Sequence, residues 1–252
     1  MIKRLTLILL LAGIGSLFAG LVITYVPDEE LNLTASYYAE KTAEDLGAAN
    51  IVTAIIVTYR GLDTLGEVTV LFLTAAIVGL VLSQSRGRSQ LTIQALDNMT
   101  SDDGSTPTPT MRRELPPTGE LLSTGTRLLL PLILLFGAYV FSHGHLTPGG
   151  GFQGGAILAS AMLLLLLSNP AKRFGHRLIT LVESTAGLSF ILIGILGILL
   201  AGGFLDNRIL PTGTFGELFS AGAIPLIYTL VGLKVGAEFS SMLVSLSETE
   251  EL

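Results

Sequence analysis

Four ionisable residues, Glu67, Glu183, Lys234 and Glu238, lie inside long apolar stretches of this 252-residue sequence. A charge in hydrocarbon is costly, so such residues mark either an ion or proton path or a paired structural charge. Lys234 and Glu238 are four apart, which on a helix places them on one face. Buried together they form an intramembrane ion pair, far cheaper than either charge alone. The pair is either a structural device or part of a proton wire in which the lysine changes charge as its neighbour titrates. Glu183 follows Arg177 by about a turn and a half and has no capping partner. It either returns to the interface to pair with Lys172, Arg173 or Arg177, or faces a hydrated interior as a relay.

Glu67 closes the run "GLDTLGE", with Arg60 and Asp63 beside it as a compact charged group. Thr64-x-x-Glu67 is also a capping-box pattern, repeated as Thr214-x-x-Glu217. Capping and ion-path readings both stand for Glu67, whereas capping is the stronger for Glu217. Arg127 is expected to snorkel to the interface. The most unusual stretch is "SHGHLTPGGGFQGG", Ser142–Gly155. His143 and His145 are metal-ligand types, but His-x-His without a third ligand is a weak signal, and no metal is assigned. Pro148 followed by Gly149, Gly150 and Gly151 stops one helix and frees the backbone for a tight hairpin. Gly154 and Gly155 then allow the next helix to pack closely. A histidine gate at the mouth of an ion path is the rival to this purely backbone role. Gly232-x-x-x-Gly236 predicts that the face of the last helix packs on protein and not on lipid.

Six apolar stretches must position these groups: Leu5–Val26, Leu62–Leu82, Leu121–Phe141, Phe152–Leu167, Leu178–Ala201 and Leu218–Leu243. Each is about long enough to cross ~30 Å of hydrocarbon as a helix. Half of the residues are hydrophobic and only 13% are charged, against about a quarter in soluble chains. The expected fold is therefore an all-α integral membrane protein with about six transmembrane helices. The first stretch is too long for a signal peptide and is expected to be a retained anchor. With the N-terminus cytoplasmic, the inner loops hold Lys3, Arg4, Arg86, Arg88, Arg112, Arg113, Lys172, Arg173 and Arg177, and the outer loops only Lys41, Arg60 and Arg208. That asymmetry places both termini inside. The first outer loop, with Asp28 and Glu29, is acidic, which this rule does not weigh.

"NIVTAIIVTYRG", Asn50–Gly61, is itself apolar, and joined to the second stretch it would be too long for one span. A break near Arg60–Gly61 is predicted, giving a short interfacial helix or a broken membrane helix. The proline-, serine- and threonine-rich segment at 84–120 predicts a flexible linker between a two-span piece (1–83) and a four-span piece (121–246). The absence of cysteine excludes disulfides, thiolate zinc sites, cysteine nucleophiles and iron–sulfur clusters in this chain. A net charge of −6 without a basic stripe gives no reason to expect nucleic acid as a partner, and no cofactor is expected.

"FSHGHLTPGGGFQGGAILASAMLLLLL", with "GGFLDN" and "FGELFSAGAIPLIYTLVGLKVGAE", resembles the MnhB-type domain: the B subunit of Mrp multi-subunit Na+/H+ antiporters and its counterpart in membrane-bound hydrogenase complexes. "NIVTAIIVTYRGLDTLGEVTVLF" resembles the end of the Mrp A subunit, a separate E-type subunit in the hydrogenase complexes. Thr58 stands where family members often carry an acid, and Thr53 where the A-type pattern has a second asparagine. The motif match carries Arg60, Asp63, Thr64, Glu67, His143, His145 and Pro148–Gly151. The resemblance implies a multi-pass subunit of a prokaryotic cell membrane, partnered by other antiporter or hydrogenase membrane-arm subunits, by lipid, and by Na+ and H+. It implies a transport subunit and not a complete enzyme. The alternative is the membrane arm of a redox-driven ion pump.

Overall fold

The computed structural model describes residues 2–25, 30–100, 119–169 and 175–250. Asp28, Glu29, Arg112, Arg113, Lys172 and Arg173 lie outside these. All described regular structure is helical: α1 (Ile2–Thr24), α2 (Leu33–Lys41), α3 (Ile51–Ala54), α4 (Gly61–Thr100), α5 (Glu120–Ser142), α6 (Gly151–Ser168), α7 (His176–Leu200) and α8 (Ile224–Glu250). Wider π turns at Thr42–Leu46 and Ile55–Tyr59 precede and follow α3. Six of the helices, α1 and α4 to α8, are long and apolar enough to cross a membrane.

The chain divides into two compact units, Met1–Ala39 and Glu40–Leu252. In the first, α1 is apolar on every side with its leucines, isoleucines and valines exposed, the pattern of a helix solvated by lipid or by another chain. In the second, α8 is the central helix and α4, α5, α6 and α7 pack around it. Small residues set how closely. A Cβ on Gly155 would lie 2.8 Å from the Gly232 carbonyl, and one on Gly154 would lie 2.8 Å from that of Gly137. A Cβ on Gly232 would meet the Phe141 ring at 2.7 Å, so the Gly232/Gly236 face packs on protein as its spacing predicts.

The predicted break falls at Arg60, whose φ of −123° and ψ of 36° end the π turn before α4 begins at Gly61. Thr53, Ala54 and Val57 are fully buried, so this segment is a packed part of the bundle and does not merely float at an interface. Leu46, Ala54, Val57 and Val68 share one hydrophobic core with Phe190, Leu205, Ile227 and Val231. Residues 46–68 of the first sequence piece are therefore joined to the second piece by packing as well as by chain.

Two expected boundaries move. The last helix starts at Ile224 and not at Leu218, because positive φ at Ala221 (62°) and Gly222 (58°) makes a tight turn just ahead of it. Residues 84–100, expected within the linker, continue α4 as helix, since nothing in "SQSRGRSQLTIQALDNMT" forbids it before the proline-rich run. The remainder of the expected linker, 101–118, lies outside the described residues.

Candidate functional site

Lys234 and Glu238 meet on α8, Nζ to Oε1 at 2.5 Å, with 10% and 0% of their side chains exposed. Both side chains lie out of water, and the charges stay buried because each neutralises the other. The Lys234 ammonium also lies 5.1 Å from the Phe72 ring centroid on α4, a cation–π contact that adds a third wall. On α7, Gly187 leaves the space the lysine stem occupies; a Cβ there would lie 3.4 Å from its Cδ and 3.7 Å from Nζ. Glu183 is one turn before Gly187 on the same helix face and is half-buried. Among the described residues no ion pair joins Glu183 to Arg177. The second oxygen of Glu238, Oε2, is buried without a hydrogen-bond partner. Helices α4, α7 and α8 thus enclose the buried Lys234–Glu238 pair, with the half-buried Glu183 one turn along α7 from the Gly187 that faces the lysine stem.

The other predicted residues gather at the opposite, loop-bearing end of α8. Arg60 and Asp63 form an exposed ion pair one turn apart. Glu67 is exposed on α4. Neither capping box forms. Thr64 is buried within the first turn of α4 and donates its hydroxyl to the Ile56 carbonyl at 2.7 Å, a carbonyl freed by the helix break. Glu217 sits in the loop before α8, where its own backbone N–H donates to Thr214 at 3.2 Å. Arg127 is exposed on α5.

The two histidines are built into different surroundings. His143 stacks on Tyr139 at 4.1 Å, one turn back on α5. His145 is fully buried, and its Nε2 faces the Glu217 carbonyl at 3.4 Å. Burial pushes its imidazole below the ordinary value of 6.5, with the backbone contact to Glu217 opposing. Among the described residues no group of three or more His, Cys, Asp or Glu is placed to hold a metal. The Pro148–Gly151 turn works as backbone. Gly150 adopts φ 156°, and only glycine fits at position 151, because a Cβ there would come within 2.7 Å of Val231.

Sequence reasoning missed the uncharged groups that tie this end together. Asn50 caps α3 by accepting from Val52 and Thr53, while its Nδ2 donates to the carbonyls of Gly144 (2.8 Å) and Thr147 (3.0 Å). Thr53 donates to Gly144 at 2.5 Å, and the Tyr228 hydroxyl donates to Thr53 at 3.2 Å. Asn50 directly ahead of an apolar run is an N-cap signal, and was the one cue available. Asn207 donates to the carbonyls of Leu46 and Ala221, both at 2.9 Å. Beside it Asp206 is gripped by Arg208; burial works to raise the Asp206 carboxyl, but the Arg208 bonds and charge hold it below the usual range.

Comparison with known proteins bears on both pieces of the chain. A family model described as a domain related to the MnhB subunit of Na+/H+ antiporters matches residues 121–241, and one described as the E subunit of MBH matches residues 2–95. An uncharacterized protein of Methanocaldococcus jannaschii is 32% identical over 76% of this chain and 74% of its own. The B subunit of a Na(+)/H(+) antiporter from Bacillus subtilis is 40% identical over 38% of this chain and 65% of its own. Among solved structures, a chain of the membrane-bound sulfane sulfur reductase, an archaeal respiratory membrane complex, superposes with a TM-score of 0.74 and 38% identity, covering 98% of both chains. A chain of the Mrp complex from Dietzia sp. DQ12-45-1b shares the fold at a TM-score of 0.72 and 24% identity, covering 97% of this chain but 26% of that one. Two family signatures in series, and relatives alike over most of their length, place this all-helical chain in the MnhB-domain family of membrane-complex proteins, with an N-terminal segment of the MbhE type.

Proposed function

We propose that this chain is a membrane subunit of a multi-subunit complex that exchanges a monovalent cation, Na+ foremost, for protons across a prokaryotic cell membrane, with both termini cytoplasmic. The observation that carries this reading is the buried Lys234–Glu238 pair with Glu183 beside it. A fully buried ion pair is a poor way to stabilise a helix bundle, since apolar residues of similar volume serve as well. Its value here lies in titration. A proton reaching Glu238 at its free oxygen releases the Lys234 ammonium, whose flexible stem lies along the Gly187 groove on the side of Glu183. Charge then passes along the junction from one group to the next. A handful of such groups in six helices without an internal repeat suits one component of an ion path, with other subunits supplying the rest. The MnhB-related match and the Bacillus antiporter relative support the same class.

A second reading makes the complex redox-driven, and the end-to-end likeness to a chain of the sulfane sulfur reductase favours it specifically. Redox centres would then belong to other subunits, because this chain has no cysteine. Purification of the tagged chain from native membranes in mild detergent, with mass spectrometry of co-purifying chains, separates the two. Antiporter-type subunits without redox proteins are the expected result; a nickel–iron or iron–sulfur protein in the same complex moves the chain to the second reading. A chain that purifies stably alone contradicts both.

A further inference from the structure

We propose that Asn207, Ser220 and Thr42 supply neutral oxygens to a binding site for a small monovalent cation at the loop-bearing end of the bundle. All three residues are buried, at 0%, 0% and 1% exposure, and the Oδ1, Oγ and Oγ1 atoms have no hydrogen-bond partner. The amide of Asn207 is oriented by its nitrogen, which donates at 2.9 Å to both Leu46 and Ala221. Its Oδ1 is therefore an acceptor with nothing donating to it. The same two bonds tie Asn207 to the segments that carry the other two oxygens. Ser220 directly precedes Ala221, and Thr42 lies one turn before Leu46 on the buried face of the first π turn.

Thr42 lacks the bond that most helical threonines make, as does Thr58 in the second π turn. Thr69, Thr74, Thr126, Thr185 and Thr229 each donate to the carbonyl four residues back, the ordinary way a helix satisfies a threonine. Buried oxygens left unmade carry the full cost of desolvation, and a hard cation coordinated by oxygen removes it. The charge of the site selects the ion. Asp206 is the adjoining acid, and both its oxygens are taken by Arg208, at 2.9 Å and 2.5 Å. None of the three donors is a carboxylate, so the set is neutral, which suits one positive charge and not two.

The site does not rest on the Lys234–Glu238 relay, and its test reads binding and not flux. Equilibrium binding of radiolabelled Na+ to the purified intact complex, with N-methylglucamine as the balancing cation, is compared between the wild type, Thr42→Val and Ser220→Ala. Asn207 is left in place because its nitrogen holds the loops. Each variant is expected to weaken one class of bound Na+ by about tenfold, the double variant to lose it, and Thr42→Ser to restore it. Glu238→Gln is expected to bind that Na+ as the wild type does. Unchanged Na+ binding in the double variant would show that these oxygens meet only water and would overturn the site. Displacement by Ca2+ at lower concentration than by K+ or Li+ would overturn its monovalent assignment.

Discussion

Lys234 and Glu238 each make the other tolerable, and that mutual dependence is measurable. Glu238→Ala strands an ammonium between Phe72 and Gly187, and Lys234→Met strands a carboxylate that is wholly buried. Each single substitution should cost about 3–5 kcal/mol, whereas Lys234→Met with Glu238→Leu should cost far less, or even stabilise. Thermal unfolding of the detergent-extracted complex, with the three variants compared as a cycle, checks this; equal and additive losses would mean that the charges do not interact. His145 gives a second residue-scale expectation. Its folded-state value lies below the ordinary 6.5 because burial disfavours the imidazolium. As pH falls through about 6.5 the unfolded chain takes up a proton that the folded chain refuses, so stability should decline from there downward and be level above it. His145→Gln should flatten that slope between about pH 7 and 5.

At the scale of elements, glycines decide how the helices meet. Gly155→Val puts a side chain into Val235 and the Gly232 carbonyl, atoms that a Cβ alone already approaches to 2.7 Å and 2.8 Å. That variant should fail to accumulate in membranes. Gly66→Ala, with nothing within 4 Å, should accumulate normally and gain up to ~1 kcal/mol of helix propensity. Immunoblots of membranes expressing the two variants compare them directly. The helices themselves were legible from apolar length, and the close face of α8 from Gly232 and Gly236, because both signals are local. The break at Arg60 was legible for the same reason: one span cannot absorb so many apolar residues. The start of α8 was not. Leu218 and Phe219 look like helix, but the Ala221–Gly222 turn ahead of Ile224 depends on Asn207, whose backbone carbonyl accepts from Ala223 at 3.0 Å from a distant loop. The capping boxes failed likewise. Thr64 turned to a carbonyl that only the preceding π turn exposes, and Glu217 stayed in the loop.

At the scale of the molecule, the two sequence pieces close into one core through Asn50, Thr53 and Tyr228, neutral residues that composition and charge do not flag. Charged groups were visible one by one in the sequence, but their partners were not, because helix order in a bundle is a tertiary fact. Glu183 looked as ready to pair with Lys172, Arg173 or Arg177 as to face a hydrated interior, and among the described residues no ion pair joins it to Arg177, while α7 packs on α8. In the proposed function, the Lys234–Glu238 junction is the place where proton movement through this subunit is gated. The most direct test is cation-driven proton flux in inverted membrane vesicles carrying the whole complex with Glu183→Gln. The account predicts flux reduced by at least about tenfold with every subunit still assembled, since a neutral amide cannot take part in the charge exchange. Flux at the wild-type level in a fully assembled complex would contradict it and leave the buried charges a purely structural role.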